Sequence, residues 1–306
     1  MSQSTHAISS PRRGFRVSRI LFWLALAVVL FFFLFPLFWM LVTSFKERSE
    51  VTLLPPTFVP FAQFQPTLIN YVAVFTRVSE LGTANIGEAN LALSQFPRAL
   101  FNSVLIGGTT TVVAVILGTL AAYAFSRFRI KGEGDLLFFI LSTRMLPPVV
   151  VLIPIFLMFT ELGLRNTFHG ITLLYITAGL PFVVWMMKGF FDEIPREYEE
   201  AAMVDGYSRL EAVWKIVVPE AIPAMLATAV FVVITAWNEF VFVQRLNSAP
   251  EFSTVPPFLY AIIGYGRTEW GRMAATSVVF LLPIVIFTFL VRNHLLRGVT
   301  FGAVRR

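Results

Sequence analysis

From Ile20 to Val42 the chain runs through twenty-three consecutive residues without one charged side chain. A helix of about 20 apolar residues is long enough to cross the hydrocarbon core of a bilayer. Inside that core no water is present to bond free N–H and C=O groups, so a stretch of this length reads as a helix, which satisfies its own backbone. Barrel strands need only about 10 residues and alternate in polarity. Further apolar runs follow, and spans are expected at about 20–45, 100–125, 136–159, 170–190, 222–243 and 273–291. The fold class expected is an all-α polytopic membrane protein with six transmembrane helices.

Composition excludes the main alternatives. With 57% hydrophobic and 14% charged residues in 306, a soluble domain would lack the charge to cover its surface. The net charge of +6 does not point to nucleic acid, because the basic residues flank the apolar runs and form no continuous stripe. Cysteine is absent, which removes disulfides and thiolate metal sites from consideration. Arg12, Arg13, Arg16 and Arg19 precede the first run. That run is too long for a signal-peptide core and lacks a small-residue cleavage site, so it reads as an uncleaved anchor. With both termini in the cytoplasm, 15 of the 24 Lys and Arg residues fall inside and eight outside, although the outside segments are longer in total. The positive-inside rule favours that orientation. It makes 1–19 and 293–306 cytoplasmic tails and 46–99 a long outer loop, punctuated by Pro55, Pro56, Pro60 and Pro66.

Prolines and polar residues interrupt the spans. Pro147, Pro148 and Pro154 fall in the third, Pro181 in the fourth and Pro283 in the sixth. Each removes a helix donor, which either kinks the helix against its neighbours or unwinds backbone beside a pathway. Arg144 lies within the third span, where an unpaired arginine costs about 3 kcal/mol or more. It must face protein or water, paired with freed carbonyls or a carboxylate, or else lining a pathway. Asn238 and Glu239, near the outer end of the fifth span, either bond solute hydroxyls or mark the span's exit with Trp237 as interfacial anchor. His169 has no second His near it in sequence and reads as interfacial rather than as a metal ligand.

The cytoplasmic segment 191–221 is about thirty residues long, unusual for a helix connection. Pro195 opens a helix through Glu197–Val204, whose early acids suit the helix dipole. Gly206 permits the positive φ of a stop. Ser208 and Glu211 form a capping box for a second helix, Glu211 and Lys215 pair four apart, and Pro219 is expected to end it. Leu210, Val213, Trp214 and Val217 then make one apolar ridge. Such a hairpin lies on lipid headgroups, covers its own helix ends, or docks a soluble partner.

The same segment resembles permeases of binding-protein-dependent ABC importers. They carry Glu-Ala-Ala, three residues, Gly, nine residues, then Ile-x-Leu-Pro in this loop. Here stand Glu200, Ala201, Ala202, Gly206, Ile216 and Pro219 at that spacing, with Val218 in place of Leu. Ala121–Arg127, Gly189–Pro195, Trp237–Phe240 and Gly298–Arg305 are similar to pieces of the second permease of maltose-type carbohydrate importers. The resemblance implies the type I importer (MetI-like) fold, with a permease domain over 98–292. It implies import of a sugar or related polyhydroxy solute across a bacterial inner membrane. It further implies a second homologous permease, a dimer of ATPase subunits and an extracytoplasmic solute-binding protein. In that family the loop supplies a coupling helix that fits a cleft of the ATPase. Glu200 would make the charged contact, Ala201 and Ala202 the close approach and Gly206 the bend.

ATP would be bound by the partner, and no cofactor or catalytic residue is expected in this chain. None of Lys46, Lys131, Lys188 and Lys215 stands in a Gly-x4-Gly-Lys-Ser/Thr loop. Two other classes compete. An ion-gradient transporter predicts acids in mid-span, where only Glu239 is available, near an end. A membrane-embedded enzyme needs clustered carboxylates, histidines or a nucleophile dyad, and the acidic run Asp192–Glu200 has no His beside it.

Overall fold

The computed structural model describes residues 14–76, 94–263 and 269–301, with side chains from 19 to 292 within those ranges. Arg12, Arg13 and the last five residues, including the end of the Gly298–Arg305 segment, lie outside the described residues, as do 77–93 of the outer loop. Every regular element among the described residues is helical. Five helices are long and apolar enough to cross a membrane, and a sharply bent pair brings the number to six if the pair counts as one span.

The chain divides into two units, the first comprising 1–71 with 269–278. Its main element is α1 (Gly14–Ser44), followed by α2 (Arg48–Val51) and the start of α3 (Ile69–Phe75). No residue in the most apolar window of α1 is buried, so its circumference is left for lipid. Among the described residues its C-terminal end is the packed part. There Lys46 is fully buried, its Nζ donating to the Thr57 carbonyl at 2.5 Å and lying 4.5 Å from the Trp39 ring. Asn70 Nδ2 donates to the carbonyls of Ser44 and Lys46 at 3.0 and 2.7 Å. These bonds fold the start of the outer loop back on the helix end.

The second unit comprises 72–268 and 279–306. It contains α4 (Phe96–Arg127), α5 (Glu133–Ser142), α6 (Pro148–Glu161), α7 (Phe168–Glu193), α8 (Glu197–Val204), α9 (Arg209–Ala212), α10 (Val218–Trp237), α11 (Val241–Leu246) and α12 (Val255–Ile262). The last helix, α13 (Trp270–Phe301), has its first residues in the other unit. The core is the contact of α4, α7 and α10, where Ala114, Ala122, Val183, Met187, Ala221 and Val232 are buried together. Without a hydrophobic drive between helices in lipid, close packing through small residues must supply the association. A Cβ added at Gly179 would touch Ala114 and Val232 at 3.7 and 3.6 Å. At the outer side Asn102, buried on α4, donates to the carbonyls of Glu251 and Ser253 at 2.9 and 2.8 Å, which pins the loop after α11.

The third apolar run, expected as one span over 136–159, is instead two helices. α5 tightens into a 3-10 turn at Thr143–Met145, and the chain resumes as α6 bent by 95°. The reason is local. A residue before proline is pushed out of the helical region, and both Leu146 and Pro147 precede one, with ψ of 121° and 131°. Pro148 then occupies the first turn of α6, where a missing N–H costs nothing. Pro154, Pro181 and Pro283 have no such doubling and sit inside helices that continue.

Candidate functional site

The segment after α7 forms a hairpin of α8 and α9 whose turns are set by short-range chemistry. Gly206 has φ 94°, a conformation that costs glycine little. Its N–H donates to the Met203 carbonyl at 3.2 Å, and the Tyr207 N–H donates to the Ala202 carbonyl at 3.1 Å. These two crossed bonds are the Schellman closure of a helix C-terminus. The capping box follows. Ser208 Oγ accepts from the Glu211 N–H at 3.3 Å, and Glu211 Oε2 accepts from the Ser208 N–H at 2.9 Å. Lys215 Nζ stands 3.5 Å from Glu211 Oε1.

Pro219 does not end the second helix. From Arg209 to Trp237 the chain is one run, carried by a π-helical stretch Val213–Val217 into α10. The Val218 N–H donates to the Val213 carbonyl, five residues back. In an α-helix the Pro219 ring would collide with the Lys215 carbonyl, and the wider turn just before it provides room. The expected ridge is split. Val213 and Val217 are buried in the core, whereas Leu210 and Trp214 are 66% and 56% exposed. Adjacent positions on a helix differ by about 100°, so Val213 faces the core while Trp214 faces away.

The hairpin presents an outer surface of mixed character. Tyr198, Val204, Tyr207, Leu210 and Trp214 are exposed, edged by Glu200, Arg209 and Lys215, which are exposed as well. Of the residues predicted for partner contact, Glu200, Ala201, Gly206 and Pro219 are exposed and Ile216 is half-buried. Ala202 is buried in its own subunit.

The root of the hairpin rests on residues the sequence did not single out. Glu199 is buried, and its carboxylate accepts from Arg127 Nε at 2.5 Å and from the Tyr123 hydroxyl at 2.6 Å. Arg127 also donates to the carbonyls of Phe191 at 2.8 Å and Ile194 at 3.0 Å, at the end of α7. Arg196 Nη2 donates to the Ser126 carbonyl at 2.7 Å. The available signal was an arginine closing the Ala121–Arg127 segment and an acid adjoining the Glu-Ala-Ala triplet.

The intramembrane candidates separate. Glu239 caps α11, accepting from the N–H groups of Phe242 and Val243 at 2.9 and 3.2 Å, and it accepts from the Tyr175 hydroxyl at 2.6 Å. Its oxygens are thus occupied within the subunit. Asn238 is exposed and donates to the Ile234 carbonyl at 2.9 Å. Arg144 sits in the break between α5 and α6, exposed, with its guanidinium 5.7 Å from the Phe182 ring. His169 is exposed in the first turn of α7.

These features define a polytopic helical membrane protein whose α8–α9 hairpin is tied into its core. Residues 114–301 match the family described as binding-protein-dependent transport system inner membrane component. The chain belongs to that family. It is 36% identical over 289 residues to the inner membrane ABC transporter permease protein YcjP of Escherichia coli, covering 94% of this chain and 97% of that one. It is 32% identical to the trehalose/maltose transport system permease protein MalG of Thermococcus litoralis, covering 94% and 98%. The sulfoquinovosyl glycerol transport system permease protein SmoH of Agrobacterium fabrum is 31% identical, with 99% of each chain covered. Among solved structures, a chain of a bacterial ABC transporter that imports alginate superposes with a TM-score of 0.73 at 22% identity, over 95% of this chain and all of that one. That likeness establishes the fold. The protein is a multi-pass inner-membrane permease of the ABC importer class.

Proposed function

We propose that the chain carries a sugar or related polyhydroxy solute inward, driven by ATP hydrolysed on a separate subunit that docks on the α8–α9 hairpin. The observation that carries this reading is the hairpin itself. It exposes Tyr207, Leu210 and Trp214 beside the charged Glu200 while its other face is locked into the core. An exposed apolar patch rimmed by charge on a base tied into the core supports a protein–protein contact. The solute class is supported by relatives whose names specify trehalose, maltose and sulfoquinovosyl glycerol. The complete transporter then contains a second homologous permease, two ATPase subunits and an extracytoplasmic solute-binding protein. Both termini lie in the cytoplasm, as the Lys and Arg distribution supports. On this reading Arg144, exposed and in no ion pair among the described residues, faces the solute pathway or the companion permease, because lipid would not accommodate the guanidinium, and the exposed Asn238 is assigned to the same pathway.

Glu200→Lys in the assembled transporter is the test. The chain is expected to insert at normal abundance, to lose co-purification of the ATPase and to lose uptake. Normal uptake with the ATPase still bound would remove Glu200 from the docking surface.

A further inference from the structure

The hairpin's outer and inner faces are separated by a single residue step. Glu200 points out and Glu199 points in, since successive positions on a helix differ by about 100°. Whatever displaces the outer face reaches Glu199 with no intervening flexible chain.

Arg127 receives it. The guanidinium, on the last turn of α4, has a side chain only 5% exposed, and that of Glu199 is 8% exposed. It donates to three places: Glu199 on α8, the Phe191 and Ile194 carbonyls that close α7, and Ser126 Oγ beside it on α4. A planar fork with fixed donors resists rotation in a way a point charge does not. The peptide linker Ile194–Arg196 could bend under load, but the fork bridges it. Tyr123, one helical turn back on α4, holds the second oxygen of Glu199.

We propose that Glu199, Arg127 and Tyr123 form a strut that makes α8, α4 and the end of α7 move as one body, and that transport is uncoupled from ATP hydrolysis when it is loosened. They are positioning residues, acting through the hairpin. The inference rests on the docking role of the hairpin given above.

The experiment uses the complete transporter in lipid nanodiscs. ATPase activity per assembled complex is measured with and without the solute-loaded binding protein, and uptake is measured in proteoliposomes. For Glu199→Gln the ATPase is expected to co-purify in the wild-type amount. Stimulation by the loaded binding protein and uptake are expected to fall by about tenfold, the scale of one charge-assisted hydrogen bond. Tyr123→Phe removes one hydroxyl from the same carboxylate with little change in packing, and it is expected to shift the same ratio in the same direction by less. If Glu199→Gln lowers assembly, Tyr123→Phe decides. An unchanged stimulation ratio in both variants, or activity that falls only in step with the amount of complex, overturns the strut. A wild-type chain that recruits no ATPase would instead overturn the docking reading beneath it.

Discussion

At Gly118 there is no room for a side chain between α4 and α7, and alanine there tests the packing argument. A Cβ built at Gly118 would stand 2.5 Å from Val183 Cγ1 and 2.6 Å from Val183 Cβ, against 3.4–4 Å for an ordinary contact. Val183 cannot give way. It is fully buried, a β-branched side chain in a helix has essentially one rotamer, and its Cβ does not move with the rotamer at all. The helices must therefore separate by roughly 1 Å, an overpacking that costs about 1–3 kcal/mol. Separation also loosens the neighbouring contact between Ala114 and Gly179, which matters more in lipid than in water because packing is the main attraction there. Gly118→Ala is expected to lower the thermal midpoint of the detergent-solubilised protein, read as the folded fraction surviving heating by fluorescence-detected size exclusion. Val183→Gly removes both clashing atoms, so the double variant should be more stable than the sum of the two single losses by about 1 kcal/mol or more. An unchanged midpoint for Gly118→Ala, or strict additivity in the double variant, would refute the close approach.

Two further outcomes bear on the hairpin. Ser208→Ala removes the side-chain half of the capping box and should cost about 1 kcal/mol locally, seen as faster amide exchange across Arg209–Ala212, while Ser208→Gly should cost only a few tenths; equal exchange in wild type and Ser208→Ala would show the cap to be idle. Because the chain has no cysteine, Ser208→Cys creates a single exposed thiol, which should react with an impermeant maleimide only from the cytoplasmic side; labelling from outside would invert the topology.

How much of this was legible in the sequence depended on the range of the interaction concerned. Spans, the Gly206 stop and the Ser208–Glu211 box rest on contacts within one helical turn, and residue type at fixed spacing is enough to specify them. Proline was harder, because its effect depends on its neighbour. Pro147–Pro148 places two successive residues in extended backbone and breaks the helix, Pro181 is absorbed within α7, and Pro219 follows a π turn that makes room for it. The doublet was a local signal for the break, but nothing in the local pattern separates Pro181 from Pro219. The expected ridge was too wide for one buried face: Val213 and Val217 enter the core while Leu210 and Trp214 stay exposed, and which half of an apolar stripe is covered depends on distant packing. Glu199 was missed for a related reason. It lies beside Glu200 among several acids, and which of the two faces inward is decided by Arg127 and Tyr123, more than seventy residues away.

The hairpin is attached to the core at both of its ends. α9 has no break before α10, so its position follows the fifth span directly. α8 is tied to α4 and to the end of α7 through one guanidinium. α4, α7 and α10 are also the helices that make the core. If the proposed strut holds, a push on the outer face of the hairpin is not absorbed by one helix bending away from the others. It tilts the three together, and the break at Pro147–Pro148, bent by 95°, is a place where backbone continuity does not oppose that tilt. On the proposed reading the stiff and the broken elements are complementary: one set carries the displacement, and the other lets the bundle reshape around a pathway.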